Sequence, residues 1–232
     1  MADTAALAPF LEVFPDWLRT LGEDARELGE SLDDADAATA RYTVGGLNYI
    51  FKSLDLIPDG IDDLGFCDDA FVIRVAARLA LAAEPAEVAE AEAPVAAAAD
   101  APAEADAPAG APAEDPVEAE EPEVPAVEQP GALPQPVDAK ESSAVLTRLA
   151  GDAAQVEAFL GEDYALLVTY VNGLRKGAAR GRTVEDILGD EEVRTTFLQE
   201  VKAWATDYQV PIFTKDVKTL IKLKAFLSAK LG

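Results

Sequence analysis

The chain has no histidine, and its 232 residues include a single cysteine, Cys67. Without histidine the commonest zinc ligand and the usual general base near neutral pH are both missing, which excludes His-dependent triads and ordinary zinc hydrolases. A lone cysteine forms no internal disulfide. Cations are scarce too: 19 Lys and Arg stand against 44 Asp and Glu, for a formal net charge of −25. A phosphate backbone is bound through clustered Lys and Arg, so nucleic acid is not an expected partner. Long apolar runs are also missing. The most apolar one, Phe71 to Ala83, carries Arg74 and Arg78 and falls well short of the roughly 20 residues that cross a bilayer. The first twenty residues lack the basic start and unbroken apolar core of a secretory signal, which leads to the expectation of a cytoplasmic protein without a transmembrane span.

The charge is unevenly spread. Residues 1–84 hold 17 acids and 6 bases, residues 85–139 hold 14 acids and no base, and residues 140–232 hold 13 of each. The middle region also carries 11 of the 15 prolines and no aromatic residue. Proline interrupts helical hydrogen bonding, like charges oppose compaction, and alanine buries little area to offset ordering entropy. Residues 85–139 therefore read as a disordered Ala/Pro/Glu-rich linker, with an end separation of about 40 Å by random-coil scaling. The fold class expected is all-α: a helical domain over 1–84 and a helical-bundle domain over 140–232, moving independently on that linker.

In the first region Phe10, Leu11, Phe14, Trp17, Leu18, Leu21, Ala25, Leu28 and Leu32 recur at three- and four-residue steps. This predicts an amphipathic helix, interrupted or restarted at Pro15. A second helical segment begins near Arg41, where Gly45 and Gly46 would let another helix approach closely. The stretch SLDLIPDGIDDLGFCDDAFVI, Ser53 to Ile73, then interleaves six aspartates with apolar residues. Pro58 holds Ile57 extended, Gly60 and Gly65 permit turns, and Asp68 or Asp69 can cap a helix starting near Ala70. Capping is the structural reading of these acids. The chemical alternative is a Mg²⁺ or Ca²⁺ site built from Asp55, Asp59, Asp62, Asp68 and Asp69, since hard cations take carboxylate oxygens. The spacing does not match an EF-hand.

The segment LNYIFKSLDLIPDGIDDLGFCDDAFVI, Leu47 to Ile73, resembles the hairpin of the YkvA-like (DUF1232) family. Asp55, Leu56, Ile57, Pro58 and Asp59 match its acidic Ile-Pro-Asp turn, and Gly65, Asp68 and Asp69 match the glycine and Asp-Asp pair that follow. Ser53 and Asp62 stand where the family commonly has proline. The resemblance covers about residues 40–83 and implies a small helical domain of bacterial proteins, some membrane-associated, without implying a catalytic assignment.

From Ser142 onward, periodic apolar residues predict a short helix at 145–149 and a longer one over 156–174, bent near Gly161. Lys176 to Thr183 reads as a basic, glycine-containing connection. Thr183 and Asp186 have the spacing of a capping box, and another helix follows up to the region before Pro211. The last helix places Val217, Leu220, Ile221, Leu223, Leu227 and Leu231 on its apolar face. Lys215, Lys218, Lys222 and Phe226 lie away from it as a candidate interaction surface. The function expected is that of a non-enzymatic protein-interaction or scaffold protein with a protein partner and no cofactor. The alternatives are a membrane-peripheral module using Trp17, the first helix or the hairpin, and a divalent-cation-dependent enzyme using the aspartate-rich turn.

Overall fold

Nothing in the sequence says which apolar stripe covers which. The answer comes from a computed structural model of the chain, which describes residues 4–52, 55–58, 60–61, 64–83 and 144–232. The expected linker, 85–139, lies outside the described residues, as do Asp59 and Asp62.

The first segment supplies a short helix α1 (Thr4–Leu7), the long helix α2 (Phe10–Glu30), a 3₁₀ turn at Ser31–Asp34, α3 (Ala37–Tyr49) and α4 (Cys67–Ala82). The second supplies α5 (Ala144–Leu160), α6 (Tyr164–Leu174), a ladder of β1 (Ala178–Ala179) with β2 (Arg182–Thr183), α7 (Val184–Gly189), α8 (Glu191–Asp207) and α9 (Val217–Leu231). The described fold is thus all-helical apart from that two-residue ladder. Pro15 lies inside α2 without ending it. One backbone bond is lost near the helix start, and burial of Phe10, Phe14, Trp17 and Leu18 along the same face holds the chain helical. The predicted break at 149–156 is absent, because Leu149, Ala153 and Val156 continue one buried stripe through α5. The helix ends at Gly161, whose φ of 63° is the left-handed conformation that glycine tolerates. The Thr183–Asp186 capping box is present.

The expectation of independent domains over 1–84 and 140–232 does not hold, because Met1–Ala91 and Glu141–Gly232 make one compact unit. The most extensive helix pairing in it joins α4 to α5 across the undescribed stretch. At its centre Phe159 of α5 sits among the rings of Phe10, Phe14 and Phe71, at centroid distances of 5.2, 4.9 and 5.9 Å. Each apolar stripe that looked like the core of its own small bundle is half of a shared one. The glycine pair serves the same closure. A Cβ on Gly46 would stand 2.8 Å from the Ala76 Cβ on α4, and one on Gly45 would stand 3.0 Å from the backbone of Leu174 and Arg175 at the end of α6.

Two outcomes follow from a shared core. Cleavage at a protease site placed near residue 110 should leave the two halves co-eluting in size-exclusion chromatography, and Phe159→Ala should lower urea-measured stability of the intact chain by about 3–5 kcal/mol. Gly46→Ala gains up to about 1 kcal/mol of helix propensity. It should nevertheless destabilise by about 1–3 kcal/mol in the same assay, because the added methyl overpacks the α3–α4 contact.

Candidate functional site

The aspartate-rich turn connects α3 to α4, and its apolar residues dictate what its polar ones do. Leu56 and Ile57 are buried, so their backbone amides need acceptors away from water. Leu56 N–H donates to the Tyr49 hydroxyl at 2.7 Å, and Ile57 N–H donates to Asp68 Oδ2 at 2.8 Å. The Tyr49 hydroxyl in turn donates to the same Asp68 oxygen at 2.5 Å. One tyrosine from the end of α3 and one aspartate from the first turn of α4 thereby pin the turn between them. The expected capping role for Asp68 is corrected in this sense: α4 starts at Cys67, three residues earlier than predicted, and the Asp68 side chain serves an amide 11 residues back. The residue before α4, Phe66, takes φ of 64°. Its ring packs on Tyr208 at 5.3 Å and Trp204 at 6.3 Å.

Around this pair stand Lys52, Asp55, Asp69 and Tyr170. Lys52 Nζ donates to the Tyr170 hydroxyl at 3.1 Å and lies 5.1 Å from that ring's centroid. Burial lowers the Lys52 pKa, against the opposing charge of Asp55. Burial, then the charges of Asp68 and Asp55, push Tyr170 up to about 12, and burial beside Asp68 raises Tyr49 much further. Both phenols stay protonated. The Cys67 thiol is buried and raised by that burial and by Asp68 and Asp69, so it is no thiolate nucleophile.

Among the described residues, no group of three or more His, Cys, Asp or Glu side chains could hold a metal ion. Of the five proposed ligands, Asp55, Asp68 and Asp69 are described and form no such group, and Asp68 Oδ2 is occupied by two donors. A surface hollow of about 220 Å³, lined by Arg182, Asp190, Glu192, Val193 and Thr196, includes no residue of the turn.

The cations predicted at the surface are distributed differently from the expectation. Arg74, inside the apolar run of α4, is 0% exposed. Its guanidinium lies 3.1 Å from Asp24 on α2, 3.4 Å from Asp152 on α5 and 4.2 Å from the Trp17 ring centroid. Burial lowers its pKa to about 10, against the carboxylates that raise it, so it remains charged at neutral pH. Arg78 pairs with Glu157 at 2.7 Å. Trp17 is buried, and the apolar face of α2 is spent on the core, so neither is presented to a membrane. No described helix is long and apolar enough to cross one.

The proposed face of Lys215, Lys218, Lys222 and Phe226 is likewise not one free surface. Lys218 and Lys222 are exposed, but Lys215 pairs with Glu12 on α2 at 2.5 Å, and Phe226 is half-buried against the core. Ile221, assigned to the inner face, lies at its edge and is exposed. An apolar surface that the periodicity did not indicate lies just before α9. Between α8 and α9 the chain runs from Tyr208 to Phe213 outside any helix or ladder, before the Asp216 N–H closes on the Thr214 carbonyl at 2.7 Å, leaving Ile212 85% and Val210 50% exposed. Its only sequence signal is Pro211 flanked by valine and isoleucine.

No family model, curated protein or solved structure matches the chain. The chemistry of the site therefore rests on its own geometry, which is that of a structural clasp with a titratable centre. Asp68 is pushed up to about 6, chiefly by burial, against the Tyr49 and Ile57 hydrogen bonds that lower it. Between the ordinary 3.8 and about 6 the folded chain keeps a proton that the unfolded chain has released. This contribution to stability is complete below 3.8 and is lost as pH rises through 6. The wild type should therefore gain stability relative to Asp68→Asn, on the order of 2 kcal/mol, as urea titrations move from pH 7.5 to 4.5. A pH-independent difference would place the Asp68 titration elsewhere.

Proposed function

We propose that the chain is a non-enzymatic protein-interaction protein of the cytoplasm, in which one helical body presents an extended apolar edge to a protein partner. The observation that carries this reading is the exposure of Val210 and Ile212 on a non-helical segment held at both ends. Tyr208 donates its hydroxyl to the Leu18 carbonyl at 2.8 Å on one side, and Lys215 holds Glu12 on the other. A large isoleucine displayed on an anchored backbone is poorly placed for stability and well placed for contact, since little ordering entropy remains to be lost on binding. The acidic turn supports the same reading from the other side: the Tyr49 and Asp68 groups that resemble acid–base machinery are engaged with backbone amides. The similarity of Leu47–Ile73 to YkvA-like proteins belongs to this proposal as a likeness of fold, and it brings no activity with it.

Full-length wild type and Ile212→Asp, matched for helicity and melting temperature, serve as paired baits for cross-linked capture in cells. Proteins recovered by the wild type should fall about tenfold or more with the variant, the loss typical of removing a buried apolar anchor. Identical recovery profiles from the two baits would overturn the reading.

A further inference from the structure

We infer that residues 209–213 form a strand-pairing edge that takes the same segment of a second copy of this chain, antiparallel and centred on Pro211. The inference rests on the interaction reading above and names its partner.

The backbone is prepared for such pairing. Among the described residues, the main-chain groups of Gln209, Val210, Ile212 and Phe213 make no hydrogen bond, and Asp216 at the far end is extended. Pro211 holds Val210 extended as well. The side chains alternate as on a strand with one face covered: Val210 and Ile212 point to solvent, while Pro211 and Phe213 are partly buried and Phe213 packs on the core. An extended segment with unpaired amides and an apolar outer face is a template for another strand.

Self-pairing fits the order of residues. In an antiparallel pair centred on residue 211, Pro211 lies opposite Pro211 of the second copy. Val210 then lies opposite Ile212, and Gln209 opposite Phe213. Directly opposed residues alternate between hydrogen-bonded and non-hydrogen-bonded pairs. If Pro211 occupies a non-hydrogen-bonded pair, its missing N–H is not needed, and Val210 and Ile212 exchange both of their bonds. The two exposed apolar side chains then meet across the strands twice, related by the two-fold axis. Charge is complementary at the flanks. Asp207, the last residue of α8, and Lys215 are exposed on opposite sides of the segment, so an antiparallel second copy brings its acid toward the other's base. The Lys215 ammonium that holds Glu12 gains a second carboxylate rather than losing its first.

So short a pairing gives a weak dimer, and the experiment is chosen for that. Sedimentation velocity of the full-length chain over a wide concentration range should show reversible dimerisation, with Ile212→Asp raising the dissociation constant about tenfold or more at unchanged helicity. In mild oxidation Pro211→Cys should form a disulfide-linked dimer, because directly opposed Cβ atoms lie about 4.5–5.5 Å apart. Gln209→Cys, two residues off the axis, should not, and buried Cys67 contributes no background. Equal cross-linking of both cysteine variants would overturn the register and with it the inference. A monomer at every concentration would overturn it too. In that case, Ile212-dependent capture of a different protein would leave the interaction reading standing, and loss of that capture would remove both.

Discussion

A guanidinium with no access to water holds the two ends of this chain together. Arg74 lies on α4, from the first segment, and its counter-charges come from Asp24 on α2 and Asp152 on α5. Arg148, also from α5, closes the network by pairing with Asp24 at 2.8 Å and Glu27 at 3.2 Å. Burying an ion is costly unless its partners are in place, and removing one partner from such a group typically costs about 3–5 kcal/mol. Neither segment satisfies this centre alone, because the first carries one carboxylate for Arg74 and the second carries the other. The Nε–Asp152 contact, at 3.4 Å, is an ion pair without good hydrogen-bond geometry. The Trp17 ring under the guanidinium compensates with its π face.

The acidic turn obeys the same rule on the other side of α4. A buried polar group must find a partner, so the apolar pair Leu56–Ile57 brings Tyr49 and Asp68 inward with its amides. What looks from the sequence like a concentration of chemistry is a way of hiding two apolar residues in a loop. Asp68 Oδ1 is left without a hydrogen-bond partner, which is one reason the neutral acid is favoured there.

Local features were legible because their causes are local. The α2 stripe, the Gly161 break and the Thr183–Asp186 box all depend on neighbours within about one turn, while the Gly45–Gly46 pair showed that a helix comes close without saying which one. The shared core was not legible, because a helical stripe reports that a face is buried and says nothing of what covers it. Arg74 illustrates the point. Within FVIRVAARLALAA nothing names a partner for the arginine, because its carboxylates stand 50 and 78 positions away. The errors at Ile221 and Phe226 arise at the stripe's margin, where a small rotation of α9 exchanges inside and outside. Asp68 was recognised as structural, but its target lay across a turn whose path the sequence did not specify.

The separation of α4 from α5 along the chain has a kinetic meaning. A ribosome adding about 5–20 residues per second reaches Asp152 several seconds after Arg74. For that interval the face of α4, with its arginine and with Phe71, waits without its cover. Most of the stretch made in the meantime, residues 85–139, has no aromatic residue and no base. It therefore offers the waiting surface little apolar material with which to build a rival core, and the late-arriving helix meets a site that its own chain has not already filled.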